Sequence, residues 1–195
     1  MGLNLLHRKE YLVMTAIDII DELGIQGFTT RELARRQSVS EATIFRHYKN
    51  KNELLLAVLD YYAQFDADIF QSVRLSDLKP IEAIKYSMMA YAEYYENYPA
   101  ITAITQLYDV LRYDSDLADK VRKIQHYRTR MLTQLIDTAQ IASDIPKQFD
   151  SVYIAVLILG FMREIFLNWR LDGYSFPLKE RINAALDMYL GTFQN

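Results

Sequence analysis

Apolar residues recur at three- and four-residue spacing along almost the whole chain, and alternation with a period of two is absent over any useful length. That spacing turns one face of each successive helix into a core and leaves nothing from which to build a sheet. The fold class it implies is all-α. Leu12, Ala16, Ile19, Ile20 and Leu23 share one face of a first helix over 8–23, and Gly24 stands where a helix commonly ends in a left-handed residue.

Capping signals divide the next segment sharply. Thr29-Thr30-Arg31-Glu32 has the form of a capping box, with Thr at the N-cap and Glu three residues on. It predicts a second helix that ends near Gln37 and buries Leu33 and Ala34. Ser38-Val39-Ser40 reads as a turn, and Ser40 caps a third short helix over 41–48. Asn50 can cap a long fourth helix over 50–73 that carries Leu54, Leu55, Val58, Leu59, Tyr62, Phe65 and Ile69. Further helices are expected at 80–97, 99–112, 116–142, 147–171 and 178–193, with Pro80 in a first helical turn.

Two short helices joined by a three- to four-residue turn have the geometry of a helix-turn-helix, whose second helix enters the DNA major groove. Charge first speaks against that reading, since the chain of 195 residues carries a net −3. Its distribution reverses the argument. Residues 28–51 hold six Lys/Arg against two acids, a net +4, while residues 52–195 hold 14 against 19, a net −5. A short basic segment on an acidic body is what a local phosphate-facing surface requires.

The run Gly24-Ile25-Gln26-Gly27-Phe28-Thr29-Thr30-Arg31-Glu32-Leu33-Ala34, then Val39-Ser40-Glu41-Ala42-Thr43-Ile44-Phe45-Arg46-His47-Tyr48-Lys49-Asn50-Lys51, resembles the DNA-binding domain of the tetracycline-repressor (TetR) family. Glu53-Leu54-Leu55-Leu56-Ala57-Val58 matches the start of that family's fourth helix. The resemblance implies a homodimer of all-α chains. Each would have an N-terminal three-helix head over 1–52 and a larger helical-bundle body for ligand binding and dimerisation over 53–195. It also implies double-stranded operator DNA and a small-molecule effector as partners. By motif position, Thr30, Tyr48 and Lys51 contact phosphates. Arg31, Glu41, Ala42, Thr43, Arg46 and His47 face the major groove, with Arg46 or Arg31 reading guanine. Two positions depart from the family pattern: Ser38 replaces the usual turn glycine, and Phe45 replaces a tyrosine and has no hydroxyl for phosphate. Glu41 can accept from cytosine N4 or simply favour the helix dipole; both readings stand.

In the body, Met88, Tyr91, Tyr95 and Tyr98 share a helix face, and Tyr108, Tyr127, Met131 and Phe161 lie on other predicted helices. Such stripes form either plain core or an apolar effector cavity with phenolic hydroxyls in its wall. The cavity reading takes Met88, Tyr91, Tyr95, Tyr108, Tyr127, Met131 and Phe161 as effector contacts. The last two helices resemble the family's dimerisation helices, with Ile165, Phe166, Trp169, Ala185, Met188 and Tyr189 as anchors; Trp169 could equally be core.

Other function classes find little support. There are no cysteines, which excludes disulfides and thiolate metal sites. His7, His47 and His126 are far apart and lack partners at helical spacing, so no metal or cofactor is expected. No phosphate-binding glycine loop or nucleophile elbow occurs, so an enzyme is not expected. No uninterrupted run of 18 apolar residues argues for a membrane span, and a cytoplasmic location is the expectation.

Overall fold

A computed structural model describes residues 2–193, with side chains from residue 8 onward, so the His7 side chain lies outside the described residues. Among them the chain forms α1 (Gly2–Gly27), α2 (Thr30–Arg36), α3 (Glu41–Phe45), α4 (Lys51–Leu75), α5 (Pro80–Asn97), a 3-10 helix (Pro99–Gln106), α6 (Tyr108–Leu111), α7 (Ser115–Ile141), α8 (Ser151–Leu171) and α9 (Leu178–Gly191). The fold is all-α. Two compact units are present: residues up to Gln64 together with Pro99–Arg122, and Phe65–Tyr98 together with residues from Lys123 onward. The first therefore holds more than the expected head over 1–52, because a segment distant in sequence packs into it.

In the first unit α1 buries Leu12, Ala16, Ile17, Ile19 and Ile20. It starts earlier than residue 8 and continues to Gly27, but its backbone breaks at Gly24 (φ 68°, ψ 178°). Leu23, the residue before the break, is 50% exposed, contrary to its expected core position. The α1 helix packs against the 3-10 helix, in a stretch expected to form an ordinary α-helix over 99–112. The reason for the tighter winding is local. Pro99 holds the preceding Tyr98 in a non-helical conformation, and the Thr102 and Thr105 hydroxyls donate to carbonyls three residues back, at 2.6 and 2.7 Å. Ile101 to Thr105 are all buried.

In the second unit α9 packs on α5 and on α8. Leu178, Ile182, Leu186 and Leu190 line its buried side. The α8 helix begins at Ser151 rather than 147, because the Asp150 carboxylate accepts from the Val152 and Tyr153 backbone N–H groups and fixes the N-cap there. At 21 residues, with a mean hydropathy of 1.6 over an 18-residue window, α8 is by length and composition alone long and apolar enough to cross a membrane. It buries Ile154, Ala155, Ile158, Met162, Phe166 and Trp169 within the unit and carries Arg163 and Glu164 on an exposed side.

This core also contains a charge pair that the apolar pattern hid. The Asp66 carboxylate, 2% exposed, accepts two hydrogen bonds from the Arg128 guanidinium at 2.8 Å each and one from the Tyr91 hydroxyl at 2.9 Å. The guanidinium also lies over the Tyr91 ring, 5.2 Å from its centroid. Bidentate geometry and a third donor satisfy a carboxylate that would otherwise be costly to bury.

Candidate nucleic-acid interface

The α2–α3 pair is fixed by its caps and by one strained residue. The Thr29 hydroxyl accepts from the Glu32 N–H at 3.0 Å, and the Ser40 hydroxyl from the Thr43 N–H at 3.3 Å. Between them Ser38 adopts φ 52°, in the left-handed region. That conformation explains why a glycine suits the position. The Val39 N–H then bonds the Ala34 carbonyl at 3.0 Å and closes the turn. Phe28, Leu33, Ala34 and Ile44 are buried and set the angle between the helices. The α3 helix stops at Phe45, earlier than the expected Tyr48.

Around this frame, Arg31, Glu41, Ala42 and Arg46 are exposed, and Thr30, Thr43, His47 and Lys51 are half-buried. Phe45 is 47% exposed. The structure puts Tyr48 elsewhere: it is buried, and its hydroxyl donates to the Lys9 carbonyl at 3.3 Å, so the proton expected to meet phosphate is already committed. Burial also pushes the Tyr48 hydroxyl pKa up and the Lys51 ammonium pKa down. The Lys51 Nζ sits over the Phe28 ring at 5.2 Å. Thr30 and Glu41 are joined, the Thr30 hydroxyl donating to the Glu41 carboxylate at 2.6 Å.

Not all the basic charge faces outward. Glu32 accepts from Arg35 at 2.8 and 2.7 Å and from Arg36 at 2.9 Å, and Arg36 turns its other nitrogens to Glu22 at 2.9 and 2.7 Å. Hydrogen bonds from Arg35 and then Arg36 hold the Glu32 carboxyl down to about 2. The reciprocal half of the expected capping box is thus spent on arginines. Charge is regained from α1. The His47 pKa is lowered first by burial and then by the nearby Arg46, Arg8 and Lys9, and the Lys9 Nζ lies 5.6 Å from the Tyr48 ring centroid. Counting residues 28–51 alone missed Arg8 and Lys9. Their adjacency at the start of the first helix was the available signal.

A family model for bacterial regulatory proteins of the TetR family matches residues 12–58, the stretch that builds this frame. Over that stretch, about a quarter of its length, the chain is similar to the TetR family. The class C tetracycline repressor of Escherichia coli is 38% identical over 53 residues, which cover 27% of this chain; the chain matches 24% of that repressor's length. Among solved structures, the FadR regulator of Bacillus subtilis in complex with stearoyl-CoA is similar with a TM-score of 0.80 at 17% identity, covering 93% of this chain and 97% of that one. The ketosteroid regulator KstR2 of Mycobacterium tuberculosis has a TM-score of 0.80 at 17% identity, covering 95% and 94%. The TetR resemblance is therefore strongest in sequence at the head and extends over the fold.

Most residues expected to line a TetR effector cavity are packed. Met88, Tyr91, Tyr95 and Met131 are buried in the second unit, and Tyr95 meets Phe166 edge-on at 4.7 Å. Tyr108 belongs to the first unit, where its ring meets Tyr62 at 6.4 Å. Tyr127 and Phe161 are half-buried against Phe70 and Tyr189. A groove of about 290 Å³ opens between α4 and α5, lined by Phe65, Asp68, Ile69, Ser72, Tyr86, Ala90, Glu93, Tyr94 and Asn97. None of the expected seven lines it.

The expected dimer anchors also separate. Phe166 and Trp169 are core, at 6% and 4% exposure, and the Trp169 indole donates to the Phe176 carbonyl at 2.9 Å. Ile165, Ala185 and Tyr189 are half-buried, and Met188 is 75% exposed. The α8 helix leaves Val152, Tyr153, Val156, Leu157 and Leu171 exposed, none of them among the expected anchors.

Proposed function

We propose that this chain is a TetR-family, ligand-responsive one-component repressor that binds a pseudopalindromic operator as a homodimer. The observation that carries the reading is the doubly capped α2–α3 pair, with Arg31, Glu41, Ala42 and Arg46 on its exposed side. Arg31 and Arg46 supply guanine readers, and Lys51 lies at one of the family's phosphate positions. The exposed apolar residues of α8, with Met188 of α9, support assembly of two copies. Two heads must then present their α3 helices about 34–36 Å apart, or a multiple of it.

The effector we infer is small and apolar or aromatic. The groove between α4 and α5 supports it, with Phe65, Ile69, Tyr86, Ala90 and Tyr94 on its walls. So does the similarity to a FadR structure that holds stearoyl-CoA. A ligand that prefers one of two body conformations releases operator by its differential affinity for them. Mobility-shift titration of the chain against its own upstream DNA at low salt tests the reading. Binding is expected, with Lys51→Ala weakening it uniformly and lowering the salt slope by about one unit. Absence of any shifted fragment refutes it.

A further inference from the structure

We propose that Thr30 positions Glu41, and that the two together read a cytosine in the operator, an inference that rests on the DNA-binding reading above. The Thr30 hydroxyl has one proton, and it goes to the Glu41 carboxylate at 2.6 Å. Phosphate oxygens accept hydrogen bonds and donate none at neutral pH. While the Thr30–Glu41 bond stands, Thr30 has nothing to give a phosphate, so the role that its motif position implies is displaced by another.

The bond solves a problem that Glu41 alone would have. It is an exposed side chain with three rotatable bonds on the first turn of a five-residue helix, and ordering it at the moment of contact costs entropy. Threonine is stiff at χ1. Thr30 lies at the start of α2, and its hydroxyl ties down one carboxylate oxygen and leaves the other available. Two cations of the same segment are engaged elsewhere: Arg35 is held by Glu32, and Arg36 by Glu22 and Glu32. The third-helix cap does not need Glu41 either, because Ser40 already accepts from the Thr43 N–H.

A carboxylate fixed at the major groove accepts and cannot donate, which makes it a one-sided reader. Cytosine offers N4–H without a neighbouring acceptor on its own edge. Adenine pairs its N6–H with the N7 acceptor, and guanine and thymine present O6 or O4 acceptors. Attraction selects cytosine and repulsion rejects guanine and thymine. Glutamine at the same place would lose that repulsion, since its amide can turn round.

The test is a panel of operator duplexes carrying each base at each half-site position, titrated by fluorescence anisotropy with the parent, Thr30→Val, Thr30→Ser, Glu41→Ala and the Thr30→Val/Glu41→Ala double variant. The parent is expected to prefer cytosine at one position by about tenfold. Thr30→Val is expected to reduce that preference to about threefold or less while leaving preferences elsewhere intact. Thr30→Ser restores it, and Thr30→Val has no further effect once Glu41 is alanine. The proposal is overturned if Thr30→Val weakens every duplex equally and does so in the Glu41→Ala background as well, for then Thr30 is a phosphate contact. It is also overturned if Thr30→Ser fails to recover the preference. A parent that binds no duplex at all overturns the DNA-binding reading itself, a result distinct from either.

Discussion

Replacing Arg128 by methionine removes one side of the buried pair and leaves the Asp66 carboxylate, 2% exposed, with the Tyr91 hydroxyl as its remaining donor in that triad. Methionine keeps most of the volume, so cavity formation is a small part of the effect. Breaking a buried pair by removing one partner costs about 3–5 kcal/mol, because a charge is left in a poorly solvating site. For a chain of this size each kcal/mol lowers Tm by about 2–4 °C, so a fall of about 6–20 °C is expected. Thermal and urea unfolding followed by circular dichroism, at one fixed protein concentration, measures it. The triple variant Asp66→Leu/Tyr91→Phe/Arg128→Met removes the charge, its partner and the stranded hydroxyl together, and should return to within about 2 kcal/mol of the parent. A single variant within about 1 kcal/mol of the parent, or a triple as unstable as the single, would refute the claim that an uncompensated Asp66 is the origin of the loss.

Three smaller perturbations test the head. Ser38→Gly removes a left-handed strain of about 1–2 kcal/mol and adds about 0.5–1 kcal/mol of glycine entropy, so a net gain of up to about 1.5 kcal/mol in urea unfolding is expected; a loss would contradict the φ of 52°. Glu22 and Glu32 have pKa values below the usual 4.5, through hydrogen bonds from Arg36 and from Arg35 and Arg36 respectively. Their contribution to stability is therefore full above that value and is lost as pH falls through the folded pKa, about 2 for Glu32. Glu32→Gln should flatten the acid limb of a Tm-versus-pH profile. His47 has its pKa held below 6.5 by burial and by Arg46, Arg8 and Lys9. DNA phosphates oppose those cations and raise the pKa in the complex, so binding takes up a proton and tightens as pH falls from about 8 to about 5.5. The His47→Gln variant should lose that pH dependence in anisotropy titrations.

Elements whose ends are written in short side chains were legible from sequence. Thr29, Ser40, Asn50 and Pro80 placed the starts of α2, α3, α4 and α5 to within a residue, since capping chemistry is local. Gly24 was legible as a break for the same reason. The 3-10 winding of 99–106 was not, because an apolar run buried on every side has no face to reveal its period. The Asp66–Arg128 pair joins residues 62 apart in sequence, a distance at which no periodicity argument reaches. At the proposed DNA-facing surface, residue types were legible and their competition was not. Whether Glu32 caps a backbone or binds arginines, and whether the Thr30 and Tyr48 protons stay available, depends on neighbours that folding supplies. The aromatic stripe of α5 stayed open between core and cavity until packing closed around Met88, Tyr91 and Tyr95.

The outer face of α8 carries a quantitative consequence. Val152, Tyr153, Val156 and Leu157 are each between 47% and 70% exposed, and the proposed homodimer would cover a patch of this kind. Were the chain to pair in this way, assembly would be second order in free chain, and the assembled amount would climb faster than the amount synthesised. In a cell that makes few copies, doubling expression would then more than double the species able to grip two half-sites. The response to synthesis would steepen without any change at the operator, and the copy number of the chain would become an input alongside the proposed ligand.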